Sequence, residues 1–222
     1  AASLVALYRV FSEAMPELSG SWVTLLCIVS VLSMIVGNLG AIVQTNIKRL
    51  LAFSSVAHVG YLLIAIIAKN SLSASSLMFY MLTYTFTIFG TFGVVILLGR
   101  RGNENLEIEN YSGLAYKHPV IALAMTIFLL SLGGLPPLAG FVAKFFVFSA
   151  ALKEGFLILV VIAVLNSAIS FYYYLKVIVF MYMKEPVKEF DLTLSPTTIL
   201  VIAISVFGTI QLGIFPDPII AL

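Results

Sequence analysis

Six stretches of this chain run for about 20 residues or more with hardly a charge in them: residues 22–43, 47–68, 76–98, 119–152, 156–183 and 197–215. An α-helix needs about 20 apolar residues to cross roughly 30 Å of hydrocarbon. Lipid cannot satisfy backbone amides and carbonyls, so only helices and closed barrels span it. None of the six runs alternates with the period of two that marks a barrel strand. The pattern therefore predicts an all-α membrane protein with about six full transmembrane helices. Composition agrees. Hydrophobic residues are 61% of the chain, charged residues 10% and mean hydropathy +1.12, against roughly 45–50% apolar and 25% charged in soluble domains.

Residues 1–12 read as the latter half of a further helix, ended by Glu13, Pro16 and Gly20. They lack a basic stretch and a cleavage pattern, so they are not read as a signal peptide. The chain is expected to start inside a span. Cys27 is the single cysteine and lies in an apolar run. That excludes an intramolecular disulfide and gives zinc or an iron–sulfur cluster no thiolate set. A net charge of +2 carries no nucleic-acid footprint.

The basic residues orient the spans. Lys48, Arg49, Arg100, Arg101, Lys117, Lys184 and Lys188 fall in loops on one side; Lys69 and Lys153 fall on the other, with Arg9 near it. By the positive-inside rule the first side is cytoplasmic and the C-terminus is outside. Lys176 is expected to snorkel to the cytoplasmic face.

The run 119–152 is too long for one straight crossing, because at 1.5 Å per residue it would reach about 51 Å. The sequence Gly133-Gly134-Leu135-Pro136-Pro137 marks where it breaks: Pro136 and Pro137 remove two amide donors, and the glycines loosen the backbone. Carbonyls freed at such a break need partners from neighbouring helices, hydroxyls or water. A simple kink is the plainer reading of the same residues.

No Asp or Glu lies inside a full span. Lys144 does, nine residues before Lys153 and hence roughly 13 Å in by helix rise, near the bilayer midplane. An ammonium there costs on the order of 2.5–3.5 kcal/mol, so it is expected to face protein or water, where it can take up and release a proton. The alternative is a lysine held by backbone carbonyls at the break. His58, about 16 Å along its helix from Ile47, also falls near midplane. It is a candidate proton carrier, since imidazole changes charge in the physiological range, or else a neutral packing residue. Lys48 and Arg49 are interfacial anchors or a site of proton uptake. Tyr80, Tyr84, Thr87 and Thr91 share one helical face, as do Asn166, Ser170 and Tyr173. Such stripes either carry water or join helices by hydrogen bonds. Ser30, Ser33 and Gly37 read as close helix packing.

The segments 37–61, containing Gln-Thr-Asn-Ile-Lys-Arg and Ser-Ser-Val-Ala-His-Val-Gly-Tyr, and 131–145, ending Gly-Phe-Val-Ala-Lys-Phe, resemble the signature of the antiporter-like membrane subunits of respiratory complex I. Within that family Lys144 and the run 167–177 fit the subunit N type, because the M type has Glu at the position of Lys144. The resemblance covers essentially the whole chain. It implies a fold of fourteen helices in two inverted five-helix repeats, each with one broken helix. Residues 1–12 would be the end of the eighth helix, 22–152 the core of the second repeat with 119–152 as the broken twelfth helix, and 156–222 the C-terminal helices, all in one transmembrane domain. The first repeat is missing, so the chain is expected to be part of a longer subunit.

The resemblance also implies that Lys144 and His58 lie on a central polar axis that moves protons, with Lys48, Tyr84, Thr87, Pro136 and Pro137 supporting the path or the break. The energy would come from quinone reduction in other membrane subunits of complex I, which with their neighbours would hold NADH, flavin, iron–sulfur clusters and quinone; no cofactor is expected in this chain. The expected location is a bacterial inner membrane, or an organellar one. A subunit of a multisubunit cation/proton antiporter, one of a membrane-bound hydrogenase and a purely structural half remain as alternatives.

Overall fold

A computed structural model describes residues 2–11, 19–99, 106–186 and 195–216. These residues are helical apart from their connections, and no strand occurs among them beyond one isolated bridge between Asn46 and Glu107. The helices are α1 (Ala2–Arg9), α2 (Ser19–Ile42), α3 (Ile47–Ala68), α4 (Ser73–Leu98), the short α5 (Leu114–Lys117), α6 (Pro119–Gly133), α7 (Ala139–Lys153), α8 (Leu157–Met183) and α9 (Pro196–Ile214). Five of them, α2, α3, α4, α8 and α9, are long and apolar enough to cross a membrane. The run 119–152 is not a single helix: it forms two 15-residue halves, α6 and α7. Neither half alone matches the length of a span. Arg100, Arg101 and Lys188, which carry part of the loop-charge asymmetry, and Glu13 and Pro16 lie outside the described residues.

Local chemistry sets the helix ends. The side chain of Asn46 accepts from the amides of Lys48 and Arg49 at 3.0 and 3.2 Å, capping α3 and filling two of its otherwise unpaired donors. Pro119 and Pro196 start α6 and α9, where a missing amide costs nothing. Gly134, with φ of +90°, ends α6 in the left-handed conformation, and its amide reaches back to Leu130 and Ser131. The peptide bond between Pro136 and Pro137 is cis.

The outer faces are apolar. Leu25, Leu32 and Leu39 of α2, Leu157 and Leu165 of α8, and Leu200 and Phe207 of α9 are all exposed, the inverse of a soluble protein and what hydrocarbon surroundings require. Inside, two apolar clusters occupy opposite ends of the bundle. One joins Met34, Ala57–Ala68, Leu77–Tyr80, Ala139–Ala151 and Leu159–Ala163. The other joins Ala41, Ile47–Leu51, Val94–Leu98, Ala122–Leu132 and Tyr173–Met181. Seven of the buried polar residues fall at or between these blocks: Asn38 on α2, Ser54 and His58 on α3, Thr83 and Thr87 on α4, Asn166 and Ser170 on α8. The bundle thus holds a polar belt at mid-height, between two greasy ends.

The small residues of α2 and α3 let these helices meet closely, with Ser30 Oγ donating to the carbonyl of Gly60 at 2.7 Å. Lys176 reaches the carbonyl of Gln44 in the α2–α3 turn at 3.4 Å.

Candidate functional site

Breaking a helix leaves its last four carbonyls without partners. In α6 these belong to residues 130–133, and each is satisfied. Leu130 accepts from the amides of Gly134 and Leu135, and Ser131 from that of Gly134. Leu132 and Gly133 accept from the side chain of Lys144, each at 3.0 Å. A lysine on α7 therefore caps the C-terminus of α6, where the helix dipole favours a cation. Its third partner is Ser167 Oγ on α8, at 2.8 Å, and that hydroxyl donates to the carbonyl of Gly133 at 3.2 Å. The ring of Tyr61 covers the ammonium with its centroid 4.9 Å away. Lys144 is 4% exposed, so it faces protein and not lipid.

The close approach of α6 and α7 that makes this possible depends on Gly140. A Cβ there would lie 1.8 Å from the carbonyl oxygen of Ser131, and the Gly140 amide donates to Ser131 Oγ at 3.1 Å.

His58 lies three residues before Tyr61 on α3, and both rings turn inward, in edge contact with centroids 5.8 Å apart. Both imidazole nitrogens have tyrosine partners: Nδ1 is 2.8 Å from the hydroxyl of Tyr80 and Nε2 is 3.4 Å from that of Tyr174. The Tyr174 hydroxyl also shares a short hydrogen bond with Ser54 Oγ. A histidine bonded on both sides can pass a proton through by exchanging tautomers. A void of about 10 Å³, lined by His58, Thr83, Thr87, Ser131, Leu132 and Gly140, lies between this histidine and the break. That is about the room one water molecule needs. On the far side of Lys144, an apolar cleft of about 440 Å³ between α7 and α8 has Lys144, Ser149 and Ser167 on its wall.

The residues singled out in the sequence do not all gather here. Lys144 and His58 both contact Tyr61, and the Tyr84 ring lies 5.0 Å from that of His58, its hydroxyl donating to Ser55 Oγ at 2.7 Å. Thr87 reaches the same void, but its hydroxyl donates back to the carbonyl of Thr83, as that of Thr91 does to Thr87. The lower part of the α4 stripe is therefore turned onto its own backbone, the usual resting place of a threonine in an apolar helix. Asn166 and Tyr173 join helices: Asn38 donates to the side chain and carbonyl of Asn166 at 3.0 and 3.1 Å and accepts from Tyr173 at 3.0 Å. Pro136 and Pro137 lie in the break, between α6 and α7. Lys48 sits at the start of α3, ten residues or about 15 Å from His58, and is not part of the cluster. Tyr61, Ser167, Tyr174 and Ser54 belong to the site without being candidates by sequence pattern. Only Tyr61 had a signal in the sequence, its i+3 spacing from His58.

The chain matches the family model described as NADH:quinone oxidoreductase/Mrp antiporter, transmembrane, over residues 1–170, a span that includes the broken helix, Lys144 and His58. It belongs to that family. Among relatives of this antiporter family, NADH-quinone oxidoreductase subunit N of Trichlorobacter lovleyi is 45% identical over 221 residues, covering 99% of this chain and 45% of the relative. Subunit N of Chloroflexus aggregans is 40% identical with the same coverage. A chain of respiratory complex I from Thermus thermophilus with bound aureothin is 34% identical and superposes with a TM-score of 0.80, over 89% of this chain and 45% of that one. A chain of the Mrp complex from Dietzia shares the fold, with a TM-score of 0.85 at 22% identity, over 98% of this chain and 48% of that one. The chain spans about half the length of the curated relatives it matches.

Proposed function

We propose that this chain is the second half of a subunit N of a proton-translocating NADH-quinone oxidoreductase, and that Lys144 is the group that takes up and releases the proton. The observation that carries this is a buried ammonium at a helix break, with no carboxylate on any of the described spans. A cation inside a membrane is held by an acid or by backbone carbonyls. Here its partners are two carbonyls, a hydroxyl and a ring face, which bind the charged form without fixing it.

The arrangement allows a change of state without a change of fold. An ammonium has three donors and the neutral amine two donors and a lone pair. The amine can keep both α6 carbonyls while the Ser167 hydroxyl turns to donate to it. The proton aimed at Ser167 is then the one that moves, on the side of the α7–α8 cleft, while His58, between Tyr80 and Tyr174, resupplies Lys144 through the polar belt. Charge changes elsewhere in the longer subunit would drive the cycle.

In this reading α6 and α7 together make a sixth crossing, α1 is the end of another helix, and the chain forms the second of two inverted repeats within one transmembrane domain. The membrane is the bacterial inner membrane and the C-terminus faces out. The partners are the other membrane subunits of the complex. Those subunits and the peripheral arm hold the NADH, flavin, iron–sulfur clusters and quinone, and this chain performs no redox step.

The test is Lys144→Met in the full-length subunit, in sealed vesicles of the assembled complex. NADH-driven acidification should fall by about a hundredfold while NADH reduction of an artificial acceptor continues. Unchanged acidification rejects the assignment. Sodium-driven transport independent of NADH would move the chain to the antiporter branch of its family.

A further inference from the structure

The environment of Lys144 contains one partner that is not a hydrogen-bond acceptor. Tyr61 is buried, 1% exposed, and presents its ring to the lysine nitrogen with the centroid 4.9 Å away. This is within the roughly 6 Å over which an aromatic quadrupole attracts a cation, and the attraction is largest when both are desolvated. The same ring makes an edge contact with His58 at 5.8 Å and another with Phe148 on α7 at 6.2 Å. Tyr61 thus contacts both Lys144 and His58.

We propose that Tyr61 is a positioning residue for proton transfer, whose ring face holds the ammonium of Lys144 through its quadrupole while its ring also contacts His58.

The argument is one of elimination among partners. No acid lies on the helices packed around α7. The titratable groups there are Lys48, Arg49, His58 and Tyr61 on α3, Tyr80 and Tyr84 on α4, and Tyr172, Tyr173, Tyr174, Lys176 and Tyr182 on α8, with Lys48 and Arg49 in the first turn of α3, about 15 Å along the helix from His58; α6 and α9 carry none. Each proton of Lys144 already has an oxygen. When the proton aimed at Ser167 leaves, the carbonyls keep their two donors, and the ring loses the attraction of a full charge. Of the groups touching the amine, the ring is therefore among those whose interaction differs most between charged and neutral states. That difference is what a residue needs in order to bias a proton equilibrium.

The proposal rests on the proton-translocation reading, and its test separates the two. Phenylalanine and its mono-, di- and trifluorinated analogues are placed at position 61 of the full-length subunit by nonsense suppression. Fluorines drain the quadrupole stepwise at nearly constant shape. Acidification by sealed vesicles of the assembled complex should be kept by Phe and fall stepwise along the series, to about a tenth with the trifluorinated ring. A flat series at the wild-type rate overturns the proposal. So does an equal loss in every variant, Phe included, which would mark a packing role or a role of the hydroxyl. Lys144→Met in the same vesicles reports on the underlying reading: if that variant still pumps, the function assigned to Lys144 fails first, whatever the fluorine series shows.

Discussion

The side-chain nitrogen of Lys144 sits 3.0 Å from the backbone carbonyl oxygen of Gly133 and closes the end of a helix to which the lysine does not belong. The break in the run 119–152 and the charge inside that run are therefore one feature. Breaking the helix exposes carbonyls that hydrocarbon cannot satisfy, and the lysine satisfies them. The lysine in turn is tolerated at mid-height because the break gives it oxygens. Either feature without the other would be costly, by several kcal/mol for unpaired carbonyls in lipid and by about 2.5–3.5 kcal/mol for an unpartnered lysine.

Lys144→Arg separates charge from proton exchange. A guanidinium keeps a cation beside α6 but is not deprotonated in proteins. Space is also short, since a Cβ on Gly134 would already lie 3.1 Å from Lys144 Cδ. We expect acidification to fall about a hundredfold, as far as in Lys144→Met. Wild-type pumping by assembled Lys144→Arg complex would mean that the lysine's own proton is not the one moved.

Gly140→Ala should damage the fold. The added methyl would meet the carbonyl oxygen of Ser131 at 1.8 Å, and backbone on a packed helix cannot yield. The expected cost is about 3 kcal/mol or more, read as a large fall in the thermal midpoint of the detergent-purified subunit. Ser131→Ala, which loses only the 3.1 Å bond to the Gly140 amide, should cost about 1 kcal/mol. Equal midpoints for the two variants would show that α6 and α7 do not meet this closely.

Tyr111, in the connection between α4 and α6, is fully buried and its hydroxyl has no hydrogen-bond partner among the described residues. Burial pushes its phenol above the ordinary range. The unfolded chain releases this proton near pH 10 and the folded chain only at higher pH, so its contribution to stability is complete below about pH 10 and declines as pH rises beyond it. Tyr111→Phe should leave stability at pH 7 within about 1 kcal/mol of wild type and flatten the loss between about pH 10 and 12. Denaturation curves at the two ends of that range check it; an unchanged alkaline slope would remove Tyr111 as a cause.

Much of the fold was legible because lipid makes the pattern strict. The runs 22–43 and 47–68 became Ser19–Ile42 and Ile47–Ala68, since a span must be apolar throughout and its ends must be polar or capped. The break was readable from Pro136 and Pro137, whose missing amides act locally. The α4 stripe is less legible: periodicity places Thr87 on the face of Tyr80 and Tyr84, but a threonine hydroxyl in an apolar helix has the carbonyl four residues back within reach. Ser167 is not legible in the sequence because it lies one residue around the helix from Asn166, whose face meets Asn38 through Asn166 and Tyr173 and not Lys144.

Sequence by itself determined that this chain is a helical membrane protein, where its long helix breaks, and that one lysine and one histidine lie deep in the spans, because hydropathy, proline chemistry and helix rise are properties of a segment and its solvent. Tertiary structure alone decided that Lys144 of α7 caps α6, that Ser167 from α8 completes its shell, and that Tyr61 contacts both it and His58. Those contacts join residues far apart in the chain, and which ones meet depends on how the helices cross, which no single segment encodes.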